Sequence, residues 1–140
     1  KEVILTIKDP EKFEDKKDSN GEIFSFAVVE NKPVYPGCEA EINEESKFNC
    51  FNSSIMKHVA QTFIFPKEAR QKGIQGKMHI NFVIEKDGSV SSVNVARGVD
   101  PLLDLEALRV ICSIPQMQPA YQKGKPVRMQ YTIPINARLR

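Results

Sequence analysis

The sequence predicts an α+β fold: two helices layered on one face of a small three-stranded antiparallel sheet, in the order α-β-β-α-β. Three stretches carry that reading. In "GIQGKMHINFVIEKDGSV", Gly73 to Val90, Met78, Ile80, Phe82 and Ile84 fall on one side, opposite His79, Asn81, Val83 and Glu85. The stretch then turns at Lys86-Asp87-Gly88, and a period of two that ends in Asp-Gly is a strong hairpin signal. "VDPLLDLEALRVICSIP" follows as a helix. "VRMQYTIPI" then alternates again, with Val127, Met129, Tyr131, Ile133 and Ile135 on one side.

In chain order, Lys1–Ile7 alternates Val3, Leu5 and Ile7 as a strand would, and a charged stretch from Lys8 to Asn20 follows. "EIFSFAVVE" sets Phe24, Phe26 and Val28 on one side, a second strand candidate. Residues 1–32 therefore read as an N-terminal linker or partial strands, and 33–140 as the domain. Pro33, Pro36 and Gly37 make the next stretch extended and irregular. Asn49 is placed to cap the first helix, where Phe51, Ile55, Val59 and Phe63 recur at intervals of four. Pro66 starts a short helical turn through Arg70, which Gly73 ends. The hairpin strands are expected at Lys77–Glu85 and Val90–Ala96. Asp100 caps the second main helix with Pro101 in its first position, and Leu103, Ala107, Val110, Ile111 and Ile114 share its inner face. Pro115 stops it, and a loop from Gln116 to Pro126 leads to the last strand.

The chain has 140 residues, 41% of them hydrophobic and 27% charged, the composition of an ordinary globular domain with a real core. No apolar run approaches the ~20 residues that cross a bilayer. The sequence begins at Lys1 rather than Met, which reads as a piece of a longer protein whose anchor or targeting segment would lie upstream. Net charge is +2, but residues 1–60 hold 8 basic and 12 acidic side chains against 12 and 6 in residues 61–140. Lys123, Lys125, Arg128, Arg138 and Arg140 close the chain with no acid among them. This is either a solvated basic face or an attractive field for an acidic partner. No basic recognition helix or aromatic-rich basic strand points to nucleic acid.

Cys38 and Cys50 bracket an acidic loop and are a candidate disulfide, with Cys112 left over as a buried thiol in a helix. Cys38, Cys50 and His58 match no metal pattern, so neither a metal nor another cofactor is expected. Catalysis finds no support. His58 and His79 read as surface or capping residues, Asp87 belongs to a turn and Asp100 to a cap. Cys38 has acidic neighbours that would raise its pKa, and no glycine-rich phosphate loop is present. Asn52-Ser53-Ser54 matches a glycosylation triplet inside a helix. The last strand says more. Pro134 cannot donate to a ladder, so it belongs on an edge with its nitrogen turned outward. Arg128, Gln130 and Thr132 would then face the same way. Such an edge either is protected by its arginine and proline or offers itself to an added peptide strand.

The residues also resemble a family. Phe65-Pro66 through Ala69, Gly73 and Gly76 before the hairpin, Asp87-Gly88 at its turn, Glu106-Ala107 in the helix, Pro119 in the loop and Pro134-Ile135 in the last strand resemble, as an ordered set, the TonB carboxy-terminal domain. "PVYPGCE" with Cys50-Phe51 resembles the form found in Bacteroidetes-type bacteria. The resemblance runs from about Pro33 to the C-terminus. Met117 stands where the family often carries a tryptophan, and Ala120 where it has glycine, departures expected to loosen that loop.

The resemblance implies a TonB-like fold and a periplasmic, non-enzymatic domain of an inner-membrane-anchored energy transducer. It would work with a proton-channel complex through an upstream segment. It would bind the Ton box of outer-membrane transporters by β-strand addition, driving active uptake. Carried onto this sequence, the binding strand is Arg128, Met129, Gln130, Tyr131, Thr132 and Ile133, and the basic tail favours a box with an acidic residue nearby. The same edge admits a homodimer. The second reading is a regulatory or docking appendage of a membrane-bound peptidase or sensor, which the upstream sequence would distinguish.

Overall fold

A computed structural model describes residues 17–18 and 21–139. The strand expected at Lys1–Ile7 lies outside the described residues. The elements are β1 (Lys17–Asp18), β2 (Gly21–Ser25), α1 (Glu44–Thr62), α2 (Lys67–Gln71), β3 (Gly76–Ile84), β4 (Val90–Arg97), α3 (Pro101–Cys112), β5 (Ala120–Gln122) and β6 (Lys125–Ala137). The α-β-β-α-β core is as expected, but the sheet is larger than three strands and is mixed. Its order is β1-β2-β6-β3-β4, with β5 folded back on the start of β6. β3 and β6 pair antiparallel from Gly76–Ala137 to Ile84–Met129, whereas β2 joins the other side of β6 in parallel.

Local chemistry explains most of the boundaries. α1 begins at Glu44, not near Asn49, because Asn43 is its cap: its Oδ1 accepts the Ser46 N–H at 2.8 Å. Glu44 and Glu45 sit at the positive end of the helix. The apolar stripe starts only at Phe48, so the first turn leaves no periodic signature. Asp100 caps α3 by accepting the Leu102 N–H at 2.9 Å, with Pro101 in the first position. Asp104, buried one turn on, accepts the Val99 N–H at 3.0 Å and so fixes the approach from β4.

Phe51, Ile55 and Val59 of α1 and Leu103, Ala107, Val110 and Ile111 of α3 bury their stripe against Met78, Ile80, Phe82 and Ile84 of β3 and Met129, Ile133 and Ile135 of β6. Each large side chain buried there contributes about 1.5–3 kcal/mol. The far face of the sheet is not simply solvated. Val83, Asn81, Asn94 and Arg128 are buried on it. The Arg128 Nε donates to Glu85 Oε1 at 2.7 Å, and Asn81 Nδ2 donates to Asn94 Oδ1 at 3.3 Å.

Cys38 and Cys50 are joined in a disulfide with Cα atoms 5.9 Å apart, fastening the irregular segment to α1. Closing a loop of that length stabilises by about 3 kcal/mol in the chain-entropy account. Cys112 is exposed rather than buried, because it is the last residue of α3 and turns away from the stripe. The segment expected as a loop from Gln116 contains β5, and a tight turn at Lys123 and Gly124, both at positive φ (53° and 78°), closes the β5–β6 hairpin. This is the turn geometry that matches strand twist, with a lysine where asparagine is usual. Met117 does not loosen the loop: it is buried, and its N–H donates to the Gly88 carbonyl at 3.0 Å.

That last contact makes Gly88 a keystone. It sits at φ +87°, and a Cβ there would fall 1.5 Å from the Met117 carbonyl oxygen. Gly88→Ala is expected to cost at least about 2 kcal/mol through strain and displacement of the loop. Chemical denaturation should show a lowered midpoint, and an unchanged midpoint would mean that the turn and loop are not coupled.

Candidate functional site

The backbone of β6 decides what its outer edge can do. His79 pairs with Pro134, Asn81 with Thr132 and Val83 with Gln130 across the β3–β6 ladder. Proline has no N–H to give, so these are the pairs that do not exchange hydrogen bonds. The backbone groups of Arg128, Gln130, Thr132, Pro134 and Asn136 therefore aim away from β3, as the sequence implied. Met129, Tyr131 and Ile133 turn theirs toward β3 and bury their side chains under the helices. The six residues of the expected binding strand thus divide into three that present backbone outward and three that anchor the strand.

Part of that edge is already paired. Ile23, Phe24 and Ser25 of β2 lie beside Arg128, Met129 and Gln130, and the Phe26 N–H donates to the Gln130 carbonyl at 3.1 Å. Beyond Gln130 no described strand continues the pairing, so among the described residues the outer side of Thr132 to Asn136 is open. Beside this open stretch, Met56, Ala60, Phe63 and Phe65 line a groove with Ile135 and Ala137. A second cleft, with Ser25 and Phe26 on one wall and His79, Asn81, Gln130 and Thr132 on the other, marks where β2 leaves β6. Two buried atoms in its lining, His79 Nδ1 and Gln130 Oε1, make no hydrogen bond.

An aromatic cluster holds the paired part. The Phe26 ring lies 4.7 Å from Tyr131, 5.0 Å from Phe48 and 6.1 Å from Phe51. The Tyr131 hydroxyl donates to Asn52 Oδ1 at 3.1 Å, and burial pushes its pKa up. Lys32 Nζ sits 4.6 Å over the Phe26 ring and donates to the Phe26 and Val29 carbonyls. These aromatic partners were not legible beforehand: the alternation of Phe24 and Phe26 marks a strand face but not what the face meets.

From Glu30 onward the chain is tied elsewhere. Asn31 and Tyr121 exchange backbone hydrogen bonds at 3.1 and 3.0 Å, as do Val34 and Gln118 at 3.1 and 3.0 Å. Glu44 at the start of α1 accepts the Lys32 N–H at 3.0 Å and the Asn31 amide at 3.3 Å. Burial pushes the Glu44 carboxyl up, but those two bonds and Lys47 together outweigh it and hold the pKa below the usual glutamate range.

The charges fall differently from the sequence expectation, whereas His58 sits at a helix end as expected. Arg128 is 1% exposed and ion-paired with Glu85, so it is no part of an exposed basic tail. Lys86, Lys123 and Lys125 instead share one cleft with Glu22, Phe24 and Val127, which leaves it net positive. His58 Nε2 reaches the Val110 carbonyl at 3.1 Å and Ser113 Oγ at 2.9 Å, at the C-terminal end of α3. No three or more histidine, cysteine or carboxylate side chains cluster as a metal site among the described residues.

Residues 61–139 match the family model described as the Gram-negative bacterial TonB protein C-terminal. The chain belongs to that family. The solution structure of the Helicobacter pylori TonB C-terminal domain (residues 179–285) resembles it with a TM-score of 0.56 at 25% identity, over 73% of this chain and 88% of that one. A shorter piece of the same protein (residues 194–285) gives a TM-score of 0.47 at 26% identity, over 61% and 90% of the two chains. The Pseudomonas aeruginosa TonB C-terminal domain gives 0.44 at 26%, over 54% and 77%. No curated protein sequence matches the chain. TonB C-terminal domains are non-enzymatic protein-interaction domains, periplasmic in Gram-negative bacteria, which fits an energy-transducer role and interaction with outer-membrane transporters.

The depressed Glu44 pKa makes the tether of residues 30–32 acid-sensitive. A carboxylate whose folded pKa lies below its unfolded one stabilises fully above the unfolded value, and that contribution is lost as pH falls through the folded value. In an acid titration followed by NMR, the Lys32 amide should move with the Glu44 carboxyl. Glu44→Gln should remove that step, and its persistence in the variant would assign it to another group.

Proposed function

We propose that this TonB C-terminal domain is the peptide-binding end of an inner-membrane-anchored energy transducer, and that it takes the Ton box of an outer-membrane transporter as an added strand on β6. The observation that carries this reading is the outward-facing, unpaired backbone from Thr132 to Asn136, backed by the groove between α1 and the end of β6, where Arg70 and Arg138 lie beside Phe63, Phe65 and Ile135. Strand addition needs both parts: main-chain groups for affinity and pockets for alternate side chains for selectivity. The binding residues remain those expected, Arg128 to Ile133, extended by the open stretch to Asn136. None of the described helices is long and apolar enough to cross a membrane, so the anchor and the segment that meets the proton-channel complex are assigned to other parts of the transducer.

The test is amide chemical-shift mapping during titration with Ton-box peptides from the same genome. Perturbations should centre on Arg128–Asn136 and reach Phe63 and Phe65. Peptides from many transporters that perturb nothing would overturn the reading.

Charge gives an independent check. Lys86, Lys123 and Lys125 face one cleft beside the start of β6, where they would attract an acidic residue flanking the box. Raising ionic strength should weaken binding several-fold, and Lys123→Glu with Lys125→Glu should flatten that dependence. An unchanged salt dependence in the double variant would place the attraction elsewhere.

A further inference from the structure

The strand that fills Arg128–Gln130 belongs to the same chain, and it is held differently from its neighbours. β2 meets β6 at three register pairs, Ile23–Arg128, Phe24–Met129 and Ser25–Gln130, while β3 runs along β6 for nine. Immediately after it the backbone turns, with the Val28 N–H donating to the Ser25 carbonyl at 3.0 Å and Val28 exposed. The chain is fastened again at Val29, which is buried in the core, and at Asn31 by the Tyr121 backbone and the Glu44 carboxylate. A short strand, a turn and a separate tether make a segment that can leave the sheet without unravelling the core. Sub-global openings of this kind begin where few bonds and little buried surface hold an element.

What β2 occupies is the outward-facing backbone assigned above to the partner. It runs parallel to β6 and places the Phe26 ring among Tyr131, Phe48 and Phe51. At its end lies the cleft with two unsatisfied buried atoms, His79 Nδ1 and Gln130 Oε1, which the chain's own strand does not serve.

We propose that Gly21–Phe26 is a displaceable strand that occupies the peptide edge of β6, and that the partner binds there by replacing it. The partner's seat then has a chemical specification: an extended peptide running parallel to β6, with an aromatic or large aliphatic side chain where Phe26 now sits. A polar side chain one residue before that position would enter the cleft that His79 and Gln130 line, as Ser25 does. This inference rests on the strand-addition reading, but its first readout needs no ligand.

Native-state hydrogen exchange on the whole chain provides that readout. The Phe26 amide should exchange through an opening well below global unfolding, while Ile80 and Ile133 exchange only near it. Exchange of Phe26 at the global limit would overturn the inference whether or not any peptide binds.

Peptide titrations then separate the two claims. Phe26→Ala empties the aromatic seat and should tighten apparent affinity by about tenfold, since a site blocked in most molecules binds in proportion to its free fraction. A Ser25→Cys, Gln130→Cys pair, made with Cys112→Ser, should lock β2 in place when oxidised. Locking should abolish perturbation at Arg128–Gln130, and the Ser25→Cys single variant, which keeps the native disulfide but cannot lock, should retain it. Equal affinity for wild type, Phe26→Ala and the locked form would overturn displacement and leave strand addition at Thr132–Asn136 standing. If no variant binds any peptide, the strand-addition reading fails and replacement by a partner fails with it, whatever the exchange data show.

Discussion

The missing N–H of Pro134 organises this molecule. A central strand must satisfy its backbone on both sides, and a proline inside a ladder leaves a carbonyl without a partner. Placing Pro134 opposite His79 at a pair that exchanges no hydrogen bonds removes the conflict. It also fixes which alternate residues of β6 bond to β3 and which look outward. Because side chains and backbone groups alternate together, the same choice sends Met129, Tyr131, Ile133 and Ile135 into the core and leaves Gln130 and Thr132 on the far face. A register slip of one residue would bury the polar set and expose the apolar one.

The core and the edge are joined through Tyr131. Its ring packs against Phe51 and Phe82 below and Phe26 beside it, and its hydroxyl is held by Asn52 of α1. The helix layer therefore does more than cover the sheet. It builds one wall of the seat in which the edge-strand ring rests. The disulfide contributes to the same wall, because Cys50 lies within α1 between Phe48 and Phe51 and ties that turn to the irregular segment at Cys38.

The parts legible in the sequence are those whose signal is local. Asp87-Gly88 marks the hairpin, Asp100-Pro101 opens α3, and Pro134 sets the sidedness of β6, each through its own backbone chemistry. The sequence hides the start of α1 because Glu44 to Lys47 is polar, and a cap at Asn43 is visible only as an asparagine three residues before a serine. The sequence does not announce β5, because Lys123 occupies a positive-φ position that asparagine or glycine usually signals. The larger gap concerns the edge itself. Sequence shows that Arg128, Gln130 and Thr132 face outward, but not that Ile23 to Ser25, about a hundred residues earlier, lie against two of them. Nor does it show that Arg128 is withdrawn by Glu85, a pairing across strands that no motif announces.

That distant pairing also bears on how the outer edge of β6 is kept from pairing indiscriminately. A long, unpaired edge is a template for aggregation, and natural sheets blunt theirs with charges, prolines or covering segments. Here the devices are divided along one strand. β2 shields Arg128 to Gln130, and Pro134 interrupts the part left open. The interruption is only partial, because proline removes a donor and keeps its carbonyl. The open stretch still offers Thr132 and Asn136 in full. A second copy meeting that edge must match a gap in the donors, whereas a peptide can supply the missing complement with its own sequence. On the strand-addition reading proposed above, selectivity at this edge comes as much from what the strand withholds as from what it presents.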